Sequence, residues 1–218
     1  IMDGHGRWAR DRGLPRHLGH REGMKSVRET IEGAVEAGVD VLTLFAFSTE
    51  NWQRPAHEVS ALMGLLQRYA RKERDELKRQ GVEVHVLGEL ERVDDRTRRA
   101  VETIIDGTRG GDALRLNLMI SYGGREEILR SAQILAAQVA SGELSVEDLD
   151  EDAFRSTLFT ADVPDPDLLI RTSGEYRISN FMLWQLAYTE LHITPVLWPD
   201  FDREDLFKAI LDFQRRER

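Results

Sequence analysis

The sequence contains no cysteine, so disulfides, cysteine-ligated zinc sites and thiol catalysis are all excluded. It also lacks long apolar segments. The longest compact apolar run covers residues 41–47, a length typical of a buried strand and far short of the roughly 20 residues that span a bilayer. No signal peptide is recognisable at the start. These absences favour a cytoplasmic protein without a transmembrane segment.

An excess of basic residues is missing too. With 30 Lys and Arg against 39 Asp and Glu, the formal net charge is −9, which disfavours nonspecific nucleic-acid binding. A local arginine cluster can still bind an anionic small molecule. The sequence has neither a P-loop nor a dinucleotide-binding fingerprint. Because it also shows no internal repeat, low-complexity tract or linker, we expect residues 1–218 to form one domain.

The apolar pattern alternates between strand-like and helix-like segments. Compact or alternating apolar runs predict strands at residues 39–47, 82–86, 114–120, 168–171 and 191–194. Helical periodicity predicts helices at residues 22–37, 92–108 and 125–140. Two more helices are predicted to start at Pro55 and after Asp202. Ser145 and Asp148 resemble the capping box of a further short helix. Strands separated by helices require crossover connections. The prediction is therefore a single α/β domain with a mostly parallel central β-sheet flanked by helices.

The first of three polar clusters is Asp-Gly-His-Gly-Arg-Trp-Ala at residues 3–9, directly after what reads as the tail of a strand. Gly4 and Gly6 allow the backbone to approach a phosphate closely, and Arg7 can bind phosphate oxygens through two hydrogen bonds. Asp3 offers a hard oxygen ligand of the kind that Mg²⁺ prefers. Taken alone, the segment is equally well a glycine-rich turn with an Asp–Arg ion pair.

Two further clusters also follow predicted strands. Residues 47–55 read Phe-Ser-Thr-Glu-Asn-Trp-Gln-Arg-Pro, at a strand end where open parallel sheets bind ligands. Residues 171–181 read Arg-Thr-Ser-Gly-Glu-Tyr-Arg-Ile-Ser-Asn-Phe and supply the arginine and serine donors that a diphosphate needs. Each cluster also has a purely structural interpretation. Residues 47–55 could be a capped loop with a packed tryptophan, and the arginines of residues 171–181 could be surface residues paired with Glu175. The recurrence of such clusters after strands favours a binding site.

In order and spacing, the three strings resemble the cis-prenyltransferases. The resemblance also includes Gly19-His20, Glu190 and Trp-Pro-Asp-Phe at residues 198–201, and it covers nearly the whole chain. It is strongest to the bacterial members that make undecaprenyl diphosphate, the lipid carrier for cell-wall sugars. His5 stands where asparagine is common in those enzymes. Asp94-Asp95 is followed by Arg-Thr-Arg, so it is not the aspartate-rich motif of trans-prenyltransferases.

The resemblance implies a role for each matching residue. Asp3 would hold Mg²⁺ and assist departure of the allylic diphosphate, Asn51 would take part in proton removal, and Glu190, from across a homodimer interface, would complete the metal site. The allylic diphosphate would be bound by Gly4, His5, Gly6, Arg7, Trp8, Arg16 and His20. Isopentenyl diphosphate would be bound by Arg171, Arg177, Ile178 and Ser179. The residues that would orient both substrates are Ser48, Thr49, Glu50, Trp52 and Arg54.

The implied reaction joins isopentenyl diphosphate to an allylic diphosphate, farnesyl diphosphate, and yields a long-chain polyprenyl diphosphate. A hydrophobic tunnel enclosed by the domain would hold the growing chain, with Ala46 on its wall and Leu114 near its closed end. Product release would involve transient membrane association. Two other interpretations stay open, a noncatalytic subunit of a two-subunit cis-prenyltransferase and a nucleotide-binding module. Residues 215–218 resemble the start of a basic tail, and we expect both termini to be trimmed relative to the family.

Overall fold

A computed structural model describes residues 1–216, so the last two residues of the basic tail predicted at 215–218 lie outside the described part. The helices are α1 (His5–Asp11), α2 (Arg16–Glu36), α3 (Ala56–Arg79), α4 (Asp95–Thr108), α5 (Gly124–Ser141), α6 (Glu151–Arg155) and α7 (Arg203–Gln214). The strands are β1 (Val41–Ser48), β2 (Val82–Leu87), β3 (Leu114–Tyr122), β4 (Leu168–Arg171) and β5 (Glu190–Ile193). Short 3-10 helices cover Thr49–Gln53, Leu90–Arg92 and Trp198–Asp200. Within residues 1–216, every helix is too short or too polar to cross a membrane.

The strands form two parallel sheets. In the larger sheet β3 lies between β1 and β2, and in the smaller sheet β4 pairs with β5. The helix α3 connects β1 to β2 and α4 connects β2 to β3, which are the crossover connections that parallel neighbours need. Residues 1–3 run beside the end of β4, where the Asp3 amide donates to the Thr172 hydroxyl at 2.9 Å. The predicted α/β fold with a parallel sheet flanked by helices is confirmed.

The central strand β3 contributes side chains to two hydrophobic cores. One face belongs to the larger core and carries Leu114, Leu116, Leu118 and Ile120. Met119 and Tyr122, on β3 as well, belong to the smaller core together with Leu169 of β4. Because successive side chains of a strand point to opposite faces, the alternation predicted for this segment is confirmed.

The pairing of β1 with β3 is interrupted twice near its carboxyl end. The register shifts by one residue between Phe45 and Phe47, which leaves Ala46 without a partner in β3. A second shift, between Phe47 and Ser48, leaves Ser121 as the extra residue in β3, with a φ of 54°. Bulges of this kind are concentrated beside active sites, where they redirect side chains.

The helix α2 begins at Arg16, well before the predicted start at residue 22. Its early turns pack closely on α1, because a Cβ added to Gly19 would lie 2.2 Å from the His5 carbonyl oxygen. Gly19 and Gly23 are both buried in this contact. The side of α2 that faces α1 is therefore made of glycines. A prediction based on the spacing of apolar residues cannot detect such a contact, so it placed the start of α2 too late.

Aspartate side chains set the start of two other helices. The helix α4 begins at Asp95 rather than at residue 92, because the Asp94 carboxylate accepts a hydrogen bond from the Thr97 amide at 2.9 Å. Asp202 caps α7 as predicted, accepting from the Asp205 amide at 3.0 Å.

The capping box predicted at Ser145 and Asp148 does not begin a helix. The Asp148 amide donates to the Ser145 hydroxyl at 3.2 Å, and this hydroxyl donates to the Asp148 carboxylate at 2.7 Å. The next helix starts only at Glu151, where Asp150 provides the cap by accepting from the Ala153 amide at 2.8 Å. The prediction of a helix opening at Ser145 was therefore wrong.

Candidate active site

A cavity of about 330 Å³ lies at the carboxyl ends of β1 and β3. Its polar lining comes from the three predicted clusters and from α2, and consists of Asp3, His5, Gly6, Arg16, His20, Ser48, Asn51, Arg54, Arg171, Arg177 and Ser179. Its apolar lining comes largely from β1, β3, α2 and α3, and includes Val27, Leu44, Leu62, Leu66 and Leu118. The cavity therefore offers an anion-binding surface next to an apolar one.

Ala46 lines this cavity, in agreement with the resemblance, whereas Leu114 does not. Leu114 is the first residue of β3, pairs with Val82 and is 2% exposed within the larger core. Leu118 and Ile120 share its face of the strand but lie nearer the carboxyl end, and they line the cavity instead. The cavity does not reach Leu114, so the place predicted for this residue at the closed end of a tunnel stays a prediction.

Asp3 and Arg171 form an ion pair in the cavity. The Asp3 carboxylate lies 2.8 Å from Nη2 of Arg171 and accepts a hydrogen bond of 2.8 Å from the Gly4 amide. Partial burial raises the pKa of Asp3, but the hydrogen bonds from Arg171 and Gly4 outweigh it, so the pKa lies below its ordinary value. Asp3 is therefore ionised near neutral pH, and its remaining lone pairs can bind a cation.

Arg171 is deeply buried for an arginine and connects two of the clusters. Nη2 donates to Asp3 at 2.8 Å, while Nη1 donates to the Ser179 hydroxyl at 2.8 Å and to the Arg177 carbonyl. The two branches of one guanidinium group thus fix Asp3 on one side and the segment around Ser179 on the other.

Glu175 holds two further arginines at this site. Arg7 Nη2 lies 2.6 Å from Glu175 Oε1 and 2.6 Å from the Ser173 hydroxyl. Arg177 pairs with the other oxygen of the same carboxylate. The Arg7 and Arg177 side chains keep 37% and 57% of their surface exposed, so both guanidinium groups remain accessible to a ligand. Together with Arg171 they form a cationic cluster suited to phosphate oxygens.

His5 and His20 stack on each other, with ring centroids 4.5 Å apart. Burial is the main cause that lowers the pKa of His5 to about 4 and that of His20 to about 3, and the charges of Arg54 and Arg16 add to it. Both rings are therefore neutral near pH 7 and present one N–H donor each.

We expect the histidine pair to make the protein less stable as the pH falls. Because the folded pKa of His20 is lowered, the unfolded chain binds a proton below about pH 6.5 that the folded chain does not. The free energy of unfolding should then fall by at most about 1.4 kcal/mol per pH unit for this residue. Urea unfolding measured between about pH 7 and about pH 5 should show that the free energy of unfolding falls less in His20→Asn than in the wild-type chain.

A matched control for that measurement is His17→Asn, which removes an exposed histidine of the same helix. This variant should keep the pH dependence of the wild-type chain. Equal slopes for wild type and His20→Asn would show that the histidine pair does not carry the effect.

Asn51 is held at the cavity by the turn that follows β1. Its side-chain oxygen accepts from the Ser48 amide at 3.2 Å, and the Ser48 side chain binds the Asn51 amide in return. The Nδ2 group of Asn51 is left for a ligand. Arg54 follows in the same loop, and burial together with the charge of Arg16 lowers its pKa. In the described part of the chain no carboxylate forms an ion pair with Arg54.

Some predicted substrate-binding residues lie outside the cavity lining, namely Gly4, Arg7, Trp8, Thr49, Glu50, Trp52 and Ile178. The indole of Trp8 donates to Asp200 at 2.7 Å, and that of Trp52 donates to Ser121 at 3.0 Å. Ile178 packs against the smaller core. Direct contact of these side chains with a substrate stays a prediction.

Asn180 does not line the cavity but connects the segments around it, a role that the sequence alone did not indicate. Its Nδ2 donates to Glu50 at 2.8 Å and to Glu126 at 3.1 Å, and its Oδ1 accepts from the Arg125 amide at 2.8 Å. It thereby joins the loop after β1, the start of α5 and the segment that carries Ser179. Its place in the Arg-Ile-Ser-Asn-Phe string was the one available signal.

A magnesium ion needs oxygen ligands, and the two carboxylates that the resemblance assigns to it are Asp3 and Glu190. Glu190 lies on β5, where Arg216 binds its carboxylate at 2.8 Å. Within residues 1–216 of one chain, no group of three potential ligands comes together. Asp3 nevertheless fits Mg²⁺, because this ion commonly takes one or two carboxylates and completes its shell with water and substrate phosphates.

The chain matches known proteins over its whole length. The family model described as "Putative undecaprenyl diphosphate synthase" matches residues 1–218. The chain belongs to this family, the cis-prenyltransferases. This cis-prenyltransferase chain is 49% identical over 218 residues to the isoprenyl transferase of Bacillus subtilis (strain 168), covering 100% of the chain and 84% of the relative. For the isoprenyl transferase of Clostridium perfringens (strain 13 / Type A) the identity is 47%, with 86% of the relative covered.

Solved structures share the fold of this cis-prenyltransferase. Lavandulyl diphosphate synthase from Lavandula x intermedia, in complex with dimethylallyl diphosphate, is 36% identical with a TM-score of 0.97, covering 100% of this chain and 94% of that one. The Campylobacter jejuni protein described as "a probable undecaprenyl diphosphate synthase" is 34% identical with a TM-score of 0.79, covering 91% of both chains. The resemblance found in the sequence is confirmed, and the protein is a prenyltransferase.

Proposed function

We propose that the protein condenses isopentenyl diphosphate onto an allylic diphosphate, with farnesyl diphosphate as the starter and undecaprenyl diphosphate as the product. Such a product would serve as the lipid carrier in cell-wall synthesis. The observation that carries the proposal is the cavity in which Asp3 and several arginines adjoin an apolar lining from β1, β3 and α3. Both substrates have the same division between a polyanionic head and a hydrocarbon part.

In the proposed reaction the bond between the allylic carbon and its diphosphate breaks. The double bond of isopentenyl diphosphate supplies the electron pair of the new carbon–carbon bond, and one proton leaves the product. Negative charge grows on the departing diphosphate, where Arg7, Arg16 and neutral His20 stabilise it. Preorganised donors of this kind need no rearrangement at the moment of reaction, so they lower the barrier directly.

The second diphosphate is held in the proposal by Arg171, Arg177 and Ser179. Anchoring both heads brings the reacting carbons together and removes much of the entropic cost of a bimolecular step. Asn51 takes part in proton removal by donating its Nδ2–H to an oxygen of the departing diphosphate, because its Oδ1 already accepts from the Ser48 amide. The departing diphosphate is the base that accepts the proton.

Mg²⁺ is the proposed cofactor, and when bound it neutralises charge on the departing diphosphate. The support is the Asp3 carboxylate, which is ionised, lines the cavity and has a side chain that is 35% exposed. Arg171 keeps this carboxylate in one orientation. Glu190 of a second copy of the chain is the other proposed ligand. The cytoplasmic location and the absence of a nucleic-acid partner stay predictions.

A homodimer is part of the proposal, because apolar side chains around Glu190 are exposed in the single chain. Tyr188 is fully exposed, and Leu191 and Leu211 are about half exposed. We expect sedimentation equilibrium to find a dimer at the concentrations where the enzyme is active. Leu191→Lys should weaken the dimer and lower activity together, because it places a charge in the expected interface. A fully active monomer would contradict this part of the proposal.

The apolar part of the cavity is the proposed tunnel for the growing chain. Each buried methylene stabilises the complex by about 0.8 kcal/mol, so every added five-carbon unit gains roughly 3–4 kcal/mol before losses to ordering. Ala46 lies at the bulge of β1 and lines the cavity, and its methyl side chain takes up little of the space there. A larger side chain at this position would occupy space that a long product needs.

We therefore expect Ala46→Leu to give shorter products, with the first condensations still close to the wild-type rate. Chromatography of radiolabelled products by chain length measures this directly. Ala136→Leu, on the exposed side of α5, is the matched control and should leave the product distribution unchanged. An unaltered distribution from a folded Ala46→Leu variant would mean that the chain does not pass this position.

The test of the function is incubation with farnesyl diphosphate, labelled isopentenyl diphosphate and Mg²⁺, followed by separation of the products. A series of products that grows by five carbons supports the proposal, and their hydrolysed alcohols distinguish linear from branched condensation. A chain that binds both substrates without product would be the noncatalytic subunit considered above. Binding of a nucleotide in preference to both diphosphates would favour the nucleotide-binding alternative.

A further inference from the structure

A second cavity, of about 620 Å³, lies between the first half of α3 and the turn that leads into α4. It adjoins the first cavity, because Arg54 and Met63 line both. Its volume falls within the range of small-molecule sites. We call it the arginine groove, after the three arginines Arg54, Arg92 and Arg96 that line it.

The three arginines of the groove have no carboxylate partner in the described part of the chain. Asp94 is the one acid among the described lining residues, and it is used as the N-cap of α4. Its carboxylate accepts from the Thr97 amide at 2.9 Å and from the Thr97 hydroxyl at 2.7 Å. A chain with a net charge of −9 thus keeps three guanidinium groups around one groove without an ion pair among the described residues.

Trp52 gives the groove a rigid wall. Its indole N–H donates to the Ser121 hydroxyl at 3.0 Å, and its ring packs edge-on against Phe47 with centroids 4.9 Å apart. The guanidinium carbon of Arg92 lies 5.4 Å from the centroid of the Trp52 ring. This cation–π contact orients Arg92 while leaving its N–H donors free for an anion.

We infer that the arginine groove is a diphosphate-binding site in addition to those of the first cavity. The choice of a diphosphate rests on the proposed function, because the substrates and the leaving group all carry this group. Guanidinium groups bind such oxygens through paired, charge-assisted hydrogen bonds. Because Arg54 lines both cavities, a diphosphate in the groove is also placed to move to or from the reaction site.

The test follows tryptophan side chains, because three of the four tryptophans report on three different places. Trp52 lines the groove and Trp198 lines the first cavity. Trp184 lines neither of the two and packs against Phe154, with ring centroids 4.3 Å apart. The full chain, labelled with 5-fluorotryptophan, is titrated separately with inorganic diphosphate, isopentenyl diphosphate and inorganic phosphate while the fluorine resonances are recorded.

Three proteins are compared: wild type, Arg92→Ala combined with Arg96→Ala, and the control Arg99→Ala. Arg99 is an exposed arginine of α4 that does not line the groove. We expect the double variant to raise the midpoint of the Trp52 shift by about tenfold or more, since two charge-assisted contacts are lost. The midpoint for Trp198 should not change, and Trp184 should not respond.

A Trp52 response to inorganic diphosphate supports a site for the leaving group, and a response to isopentenyl diphosphate alone supports a site for the entering substrate. An unchanged Trp52 midpoint in the double variant overturns the inference, because Trp52 would then be sensing the first cavity only. Equal midpoints for phosphate and diphosphate also overturn it. If the Trp52 resonance shifts and the Trp198 resonance does not, the first cavity does not bind these ligands, and the result counts against the proposed function.

Discussion

Asp3→Ala is expected to lower turnover by more than about a thousandfold, or roughly 4 kcal/mol of barrier, in a protein that stays folded. Among the described residues, Asp3 is the one carboxylate that lines the first cavity, and it is the proposed ligand of the metal ion. Its loss removes that ligand and also the charge that orients Arg171. Arg171 keeps its hydrogen bonds to Ser179 and to the Arg177 carbonyl, so the buried guanidinium group remains partly satisfied.

Steady-state kinetics at saturating Mg²⁺ and thermal unfolding should be measured on the same samples. Asp3→Asn separates charge from shape, because the amide can still accept the Gly4 hydrogen bond. It should be nearly as inactive as Asp3→Ala. Asp162→Ala, which removes an exposed carboxylate paired with Arg115, should keep normal turnover. Turnover of Asp3→Ala within about tenfold of wild type would rule out the proposed metal role.

Arg171→Lys should lower kcat/KM for isopentenyl diphosphate by more than about a hundredfold, although the charge is kept. The guanidinium group donates in two directions at once, to Asp3 and to the segment around Ser179. An ammonium group is a single point of charge and cannot span both. The lysine variant should therefore lose the alignment of Asp3 and Ser179 together, while its stability falls only moderately.

Arg203→Lys is the matched control, because Arg203 also contacts more than one partner, Glu29 at 2.8 Å, Glu32 at 2.6 Å and Glu36 at 3.7 Å, but on the surface between α7 and α2. It should leave kcat/KM unchanged. If a folded Arg171→Lys variant forms product at the wild-type rate, the simultaneous hydrogen bonds of the guanidinium group to Asp3 and Ser179 are not needed for activity.

Sequence patterns predicted most of the fold because the strands and helices have clear periodicities. The alternating leucines of β3 and the aspartate cap of α7 are local features that one segment displays by itself. The start of α2 was missed because it depends on the absence of side chains at Gly19 and Gly23, which matters only against α1. The box at Ser145 failed because Val146 stays 68% exposed beside it, so no burial extends the turn into a helix.

The candidate site was predictable to a similar degree, and for a similar reason. Two of the clusters follow β1 and β4, and the first follows residues 1–3, which run beside the end of β4, so parallel strands bring all three to one cavity. The direction in which a single side chain points could not be predicted from the sequence. Trp52 is an example, because its indole donates to Ser121. Leu114 shows a second limit, because alternation identifies the face of a strand but not how far along it a cavity reaches.

The paired bulges at Ala46 and Ser121 make the site depend on a residue count as well as on residue types. One extra residue in each strand brings Ser48 back into pairing beside Tyr122. Deleting Ala46 alone would remove the bulge in β1 and leave the bulge at Ser121 without its counterpart, so the path of β1 into the loop that carries Asn51 would change. Substitutions along this stretch can be absorbed by repacking, but a single insertion or deletion cannot. The spacing between β1 and Asn51 is therefore itself a determinant of activity.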